Sequence, residues 1–160
     1  MSALPSQSRY IIGTEACERF SFYGMKSILM LYMTGHLLMS DNWATSTLHI
    51  FVGMVYLLPL AGAWLADKVW GRYKTILYIS LLYCVGHGVL ATADLFHTIE
   101  ARRYILMAGL FIIALGAGGI KPCVSAFMGD QIPNKSPQLM TKAFNAFYWA
   151  INLGSFFSFL

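Results

Sequence analysis

Five long apolar runs, separated by short polar connections, constrain the fold of this chain more than any other feature. They cover about residues 10–38, 48–66, 75–95, 104–128 and 143–160. A helix needs about 20 mostly apolar residues to cross a bilayer, and these runs lack the sustained alternation of barrel strands. Only 11% of the residues are charged, against about 25% in an average soluble domain. The sequence therefore predicts an all-α, multi-pass membrane protein that is embedded in a lipid bilayer.

The basic residues between the runs predict the orientation of the chain in the membrane. The second and fourth connections carry Lys68, Arg72, Lys74, Lys135 and Lys142, whereas residues 39–47 hold neither lysine nor arginine. Because cytoplasmic loops carry the excess of these residues, we expect a cytoplasmic N-terminus in the inner membrane of the cell. Arg102 and Arg103 are then an exception on the outer side. This orientation accounts for the net charge of +4 without nucleic acid as a partner.

Charged side chains interrupt the first run, where a helix facing lipid would not easily carry them. This run carries Glu15, Glu18 and Arg19, followed by Tyr23 and Lys26. Because they recur at spacings of three and four, they lie on one stripe of a helix, and Glu15 and Arg19 have the spacing of an ion pair. A charge at the bilayer centre costs roughly 2.5–3.5 kcal/mol. The stripe therefore predicts a water-filled cavity, with snorkelling from the helix end as the alternative, above all for Glu15.

Polar residues from four of the runs are predicted at one depth. Lys121 lies about as far from the cytoplasmic end of its run as Glu18 and Arg19 lie from theirs, and Tyr56 and Asn152 fall near that level. At a rise of 1.5 Å per residue, the layer is roughly 12–15 Å above the cytoplasmic boundary. Such a layer predicts a binding site near the bilayer midplane. Ordinary packing of Tyr56 and an interhelical hydrogen bond of Asn152 are the alternatives.

Motifs distributed along the chain resemble those of one transporter family. Residues 15–24 read EACERFSFYG, which resembles the ExxERFxYYG motif of the proton-dependent oligopeptide transporter family, within the major facilitator superfamily. Residues 118–131 resemble the second signature of that family, residues 147–155 its FYxxINxGS stretch, and residues 62–74 its cytoplasmic loop motif. Phe22 departs from the pattern, because the family usually has tyrosine there. The resemblance spans nearly the whole chain.

The resemblance implies both a fold and an activity. The fold has twelve core helices in two six-helix halves, and this chain would supply the first four helices and part of the fifth. We therefore expect a fragment of a longer transporter, whose C-terminal part would be its partner. The implied activity is the import of di- and tripeptides together with protons by alternating access, with the proton as coupling ion and no cofactor.

The motif positions also imply roles for individual residues. Glu15 and Glu18 match the acids linked to proton coupling. The residues that match substrate-binding positions are Arg19, Tyr23, Tyr56, Lys121 and Asn152, and Lys26 joins them from its place on the same stripe. Arg19 and Lys121 match basic groups that engage the acids and the peptide carboxylate. Asp67, Arg72 and Lys74 match the loop that stabilises the outward-facing state.

Three alternatives to peptide symport stay open from the sequence. A member of the family could carry another small anion such as nitrate, although the acidic motif of the first run favours peptide and proton. The polar layer could instead line a passive, channel-like pore. An intramembrane enzyme has the least support, because the sequence holds no zinc motif and no nucleophile elbow. Proton-coupled peptide import is the predicted function.

Overall fold

The structure is a computed structural model that describes residues 4–159, apart from the side chain of Lys135. Within these residues it contains α-helices and no strand, which confirms the predicted all-α class. The helices are α1 (Ser6–Leu31), α2 (Asp41–Leu57), α3 (Pro59–Leu65), α4 (Arg72–Ala91), α5 (Ile99–Asp130) and α6 (Pro137–Phe157). Turns of π-helix follow α1 at Tyr32–His36 and α3 at Ala66–Trp70, and 3-10 turns lie at Ala93–Leu95 and Pro133–Lys135.

The described residues divide into two compact units. The first unit takes residues 4–29 and 124–159, and it contains most of α1, the end of α5 and the whole of α6. The second unit takes residues 30–123, and it contains α2, α3, α4 and most of α5.

Three helical stretches of the described chain are long and apolar enough to cross a membrane: Asp41–Trp70, Arg72–Leu95 and Ile99–Asp130. Helix α1 is long enough but not apolar enough, because several charges, including those of Glu15, Glu18 and Arg19, interrupt it. Helix α6 is also less apolar, since it carries Lys142 and several amide side chains. The spans predicted over residues 10–38 and 143–160 stay predictions, and the predicted end at Leu160 lies outside the described residues.

Helix α2 begins earlier than the apolar run near residue 48 predicted, because its first turns are polar. The Ser40 hydroxyl caps the helix by accepting a hydrogen bond of 3.4 Å from the backbone N–H of Trp43. The Asp41 carboxylate lies in the first turn, where the helix dipole favours a negative charge. Pro59 lies inside the stretch Asp41–Trp70, as the second predicted span required, and begins helix α3 there, as expected for a residue that lacks a backbone donor.

Helix α5 approaches α3 and α4 to backbone distance in the second unit. A Cβ atom on Gly116 would lie 2.6 Å from the Cβ of Tyr83 in α4, and one on Gly62 in α3 would lie 2.6 Å from the Cα of Gly119. These separations leave room for hydrogen only, which is the close helix approach that small residues permit. Helix α5 continues past Pro122 to Asp130. The glycines thus fix how closely the helices of this unit pack.

Candidate functional site

A buried cluster of three charged side chains forms in the first unit. The Nε of Arg19 lies 3.3 Å from a carboxylate oxygen of Glu15, and its Nη2 pairs with Glu18. The relative exposures of Glu15, Glu18 and Arg19 are 8%, 9% and 7%. Arg19 follows Glu15 by one helical turn and Glu18 directly, so α1 alone brings the three groups together. The ion pair predicted from the spacing of Glu15 and Arg19 forms.

Two aromatic rings complete the surroundings of the Arg19 guanidinium. Its central carbon lies 5.5 Å from the ring centroid of Phe22 and 6.0 Å from that of Tyr23. The two rings meet edge to face, with centroids 5.6 Å apart. A cation over an aromatic face is attracted by the ring itself, so Phe22 makes this contact without the hydroxyl that the resemblance led us to expect. The arginine is held by two acids and two rings.

Helix α6 approaches the charged turn of α1 at Gly154. A Cβ on Gly154 would lie 3.2 Å from the Cβ of Arg19, and it would clash with the carbonyl oxygen of Ala16. Any larger residue would have to push α6 away from the turn that carries Arg19. Gly154 had no predicted role, although its place inside the FYxxINxGS stretch was a signal that could have identified it.

The other candidates of the first unit occupy more open positions. Tyr23 and Lys26 are half-buried, and the ring of Tyr23 lies 6.4 Å from that of Phe159. Asn152 is exposed, and its amide donates a hydrogen bond of 2.9 Å to the carbonyl oxygen of Tyr148. An open cavity of about 380 Å³ on α6 is lined by Asn145, Tyr148, Trp149 and Asn152. This part of α6 presents amide and aromatic groups that suit hydrogen bonding to a polar ligand.

Tyr56 and Lys121, two of the candidates in the second unit, contact each other. The Nζ of Lys121 lies 4.9 Å from the ring centroid of Tyr56. Lys121 is half-buried and Tyr56 is 72% exposed, so the ring covers one side of the ammonium group. The contact is a cation–π interaction, which the sequence analysis did not predict. The single polar layer predicted from depth stays a prediction.

Asp67, Arg72 and Lys74, the candidates from the cytoplasmic loop motif, lie on both sides of a turn that requires glycine. Gly71 has a φ of +76°, and α4 begins at the next residue, Arg72. Such a backbone conformation is readily adopted only by glycine. Asp67 and Lys74 are exposed and Arg72 is half-buried. The conformational role of these three residues stays a prediction.

A polar network of four side chains elsewhere in the second unit was not predicted from the sequence. Asp94 accepts a hydrogen bond of 2.9 Å from the hydroxyl of Tyr32, and the same oxygen lies 3.0 Å from Nε2 of His36. The Nη1 of Arg102 lies 3.2 Å from that nitrogen, and its Nε donates a 2.7 Å bond to the carbonyl oxygen of Phe96. The directly bonded His36 and Arg102 are 66 residues apart in the sequence, a separation that periodicity cannot relate.

Arg103 holds the turn that links α1 to α2. Its Nε and Nη2 donate bonds of 3.0 and 2.8 Å to the carbonyl oxygen of Leu37, and Nη2 also donates to that of Leu38. The guanidinium lies 5.1 Å from the ring centroid of Trp43. Leu38 has a φ of +51°, a conformation unusual for a residue with a side chain. Arg103, one of the two exceptions to the predicted orientation, therefore has a local structural role.

Comparison with known sequences identifies relatives along nearly the whole chain. A family model described as the POT family matches residues 73–160. The chain is 47% identical to "Peptide transporter family 1" of Drosophila melanogaster, 43% to "Peptide transporter 3" of Caenorhabditis elegans and 42% to "Solute carrier family 15 member 2" of Homo sapiens. These alignments cover 96%, 99% and 98% of this chain, and 21%, 23% and 22% of the relatives.

Solved structures of the same family share the fold. The chain is 48% identical to the POT family transporter PepTSo, with a TM-score of 0.87, over 98% of this chain and 31% of that one. It is 46% identical to an auto-inhibited POT family peptide transporter, with a TM-score of 0.86, over 96% of this chain and 30% of that one. It thus spans about a fifth of the curated relatives and a third of the solved chains. The family match extends over more than half of the sequence, and the chain belongs to the POT family of membrane transporters.

Proposed function

We propose that this chain is part of a proton-coupled symporter that imports di- and tripeptides by alternating access. The buried cluster of Glu15, Glu18 and Arg19 carries the proposal. A coupling acid must lie where burial and a neighbouring cation control its affinity for a proton, and this cluster offers both. The relatives are named as peptide transporters, which supports peptide as the cargo.

Proton uptake by Glu18 would change what Arg19 can bind. While Glu18 is ionised, it pairs with the guanidinium that Glu15 also contacts. A protonated Glu18 no longer supplies a negative charge, so part of the guanidinium becomes available to another anion. A peptide carboxylate forms strong, charge-assisted bonds to such a group. Protonation and peptide binding would in this way favour each other.

The remaining candidates recognise features that all short peptides share. Lys121 would bind a carboxylate, while the ring of Tyr56 keeps its ammonium in place. Tyr23, Lys26 and Asn152 would contact polar groups of the peptide, without selecting among its side chains. Asp67, Arg72 and Lys74 would stabilise the outward-facing state from the cytoplasmic side.

Transport by Glu18→Gln tests the coupling role. We expect the full-length transporter with this change, reconstituted into proteoliposomes, to exchange peptide down its own gradient but to lose accumulation driven by a proton gradient. Glutamine keeps the shape of the acid and cannot take up a proton. Glu100→Gln, which changes an exposed acid at the start of α5, is the matched control and should retain both activities. Accumulation of peptide against a gradient by Glu18→Gln would exclude Glu18 as the coupling acid.

The same proteoliposomes distinguish peptide symport from the alternatives. Dipeptide should compete with uptake, whereas uptake of nitrate that ignores dipeptide would favour a small-anion carrier. Flux that ignores the pH gradient would favour a passive pore. The proposed orientation, with a cytoplasmic N-terminus in the inner membrane, predicts that an N-terminal tag is protected from protease in intact spheroplasts.

A further inference from the structure

One imidazole nitrogen in the second unit contacts a carboxylate and a guanidinium at the same time. The Nε2 of His36 lies 3.0 Å from Oδ1 of Asp94 and 3.2 Å from Nη1 of Arg102. Without a proton, this nitrogen accepts a bond from Arg102 and offers nothing to the carboxylate. With a proton, it donates to Asp94 and opposes the guanidinium. We propose that His36 is a proton-operated switch that exchanges Arg102 for Asp94 as the pH falls.

The partners of His36 come from separate elements of the same unit. Tyr32, one turn earlier, stacks on the imidazole with ring centroids 5.1 Å apart and donates its hydroxyl to Asp94. Asp94 belongs to the 3-10 turn after α4, and Arg102 belongs to the first turns of α5. The elements around the switch also carry other charged or titratable groups, among them Asp41, His49, His97, Glu100, Arg103 and Tyr104. Arg103 directs its guanidinium to the carbonyl oxygens of Leu37 and Leu38.

The imidazole of His36 is open to solvent. Histidine is the side chain that commonly changes its charge between about pH 5 and 8. The side chains of His36 and Asp94 are 49% and 59% exposed, whereas that of Arg102 is 24% exposed. Protons therefore reach the imidazole directly, while the arginine stays fixed through its bond to the carbonyl oxygen of Phe96.

When His36 changes its partner, the element to which it is bonded changes too. When the neutral imidazole carries its proton on Nδ1, His36 ties the π-helical turn after α1 to the first turns of α5 through Arg102. In acid, with both nitrogens protonated, it ties the same turn to the α4–α5 connection through Asp94. The connection should then be held more firmly, because a charged His36 adds an ion pair to the bond from Tyr32. This inference depends on the contacts alone and not on the proposed transport function.

Hydrogen–deuterium exchange tests the switch in the full-length protein in lipid nanodiscs. Rates are compared at about pH 8 and about pH 5.5 after correction for the intrinsic effect of pH on exchange. We expect residues 92–98 to exchange about two- to fivefold more slowly in acid, as a partly exposed ion pair gives. The His36→Gln variant should lose this difference. The His97→Gln variant is the matched control, since it removes an exposed histidine from the same connection, and it should keep the difference.

A second variant tests whether protonation moves His36 from Arg102 to Asp94. In Asp94→Asn, a protonated His36 faces the Arg102 guanidinium without the carboxylate, so exchange of residues 92–98 should become faster in acid. Wild-type exchange that does not respond to pH would overturn the proposal without any variant. A response that survives in His36→Gln, or one that disappears in His97→Gln, would also overturn it.

Discussion

Replacing Arg19 by methionine isolates the energetic role of the buried charged cluster. Methionine fills a similar volume without a charge, so Glu15 and Glu18, at 8% and 9% exposure, would stay buried without the cation between them. Removing one partner of a buried ion pair costs about 3–5 kcal/mol. We expect the free energy of unfolding to fall by about this amount. Arg19→Lys should lose less, because it keeps the charge but cannot direct two nitrogens to two acids.

Steric trapping of the full-length transporter in bicelles measures this free energy directly. A triple variant, with Glu15→Gln and Glu18→Gln added to Arg19→Met, removes every charge of the cluster and should recover most of the loss. A loss below about 1 kcal/mol in Arg19→Met, as a surface pair would give, would refute the buried cluster. A triple variant as unstable as Arg19→Met would instead assign the loss to the contact of the guanidinium with the ring of Phe22.

Two further predictions concern the second unit. Leu38→Gly should raise the free energy of unfolding by about 0.5–1 kcal/mol, because glycine tolerates the positive φ of this exposed position; steric trapping checks this, and a decrease would show that the turn is not strained. Tyr56→Leu should raise the KM for dipeptide about two- to fivefold by removing the ring beside Lys121. Tyr56→Phe keeps the ring and should not, and equal impairment of both variants would assign the effect to the hydroxyl.

The sequence was most informative about the fold where a rule depends on neighbouring residues. The apolar runs predicted the helical class, and the spacing of Glu15 and Arg19 predicted an ion pair that forms. Helix ends were less accurate, because the apolar pattern ignores polar first turns such as Asp41 after the Ser40 cap. Pro59 lies inside one membrane-length stretch, as predicted, and the start of α3 at this residue was not predicted.

Contacts between distant parts of the chain could not be predicted in the same way. The interaction of Lys121 with Tyr56 and that of His36 with Asp94 depend on how helices pack, and no periodic pattern relates such positions. Arg103 was interpreted as a topological exception, although its guanidinium is occupied by the carbonyl oxygens of a strained turn. A charge whose partner is a backbone oxygen leaves no complementary residue in the sequence to reveal it.

The close approach of α5 to its neighbours determines where reporter groups can be attached. A cysteine at Gly116, or at Gly62 where α3 meets α5, would already displace a neighbouring helix, before any spin label or fluorophore is added. Distances measured from such a site would describe an altered bundle. Leu81 and Val85, on an exposed part of α4, offer attachment points at which a probe can follow conformational change without wedging helices apart.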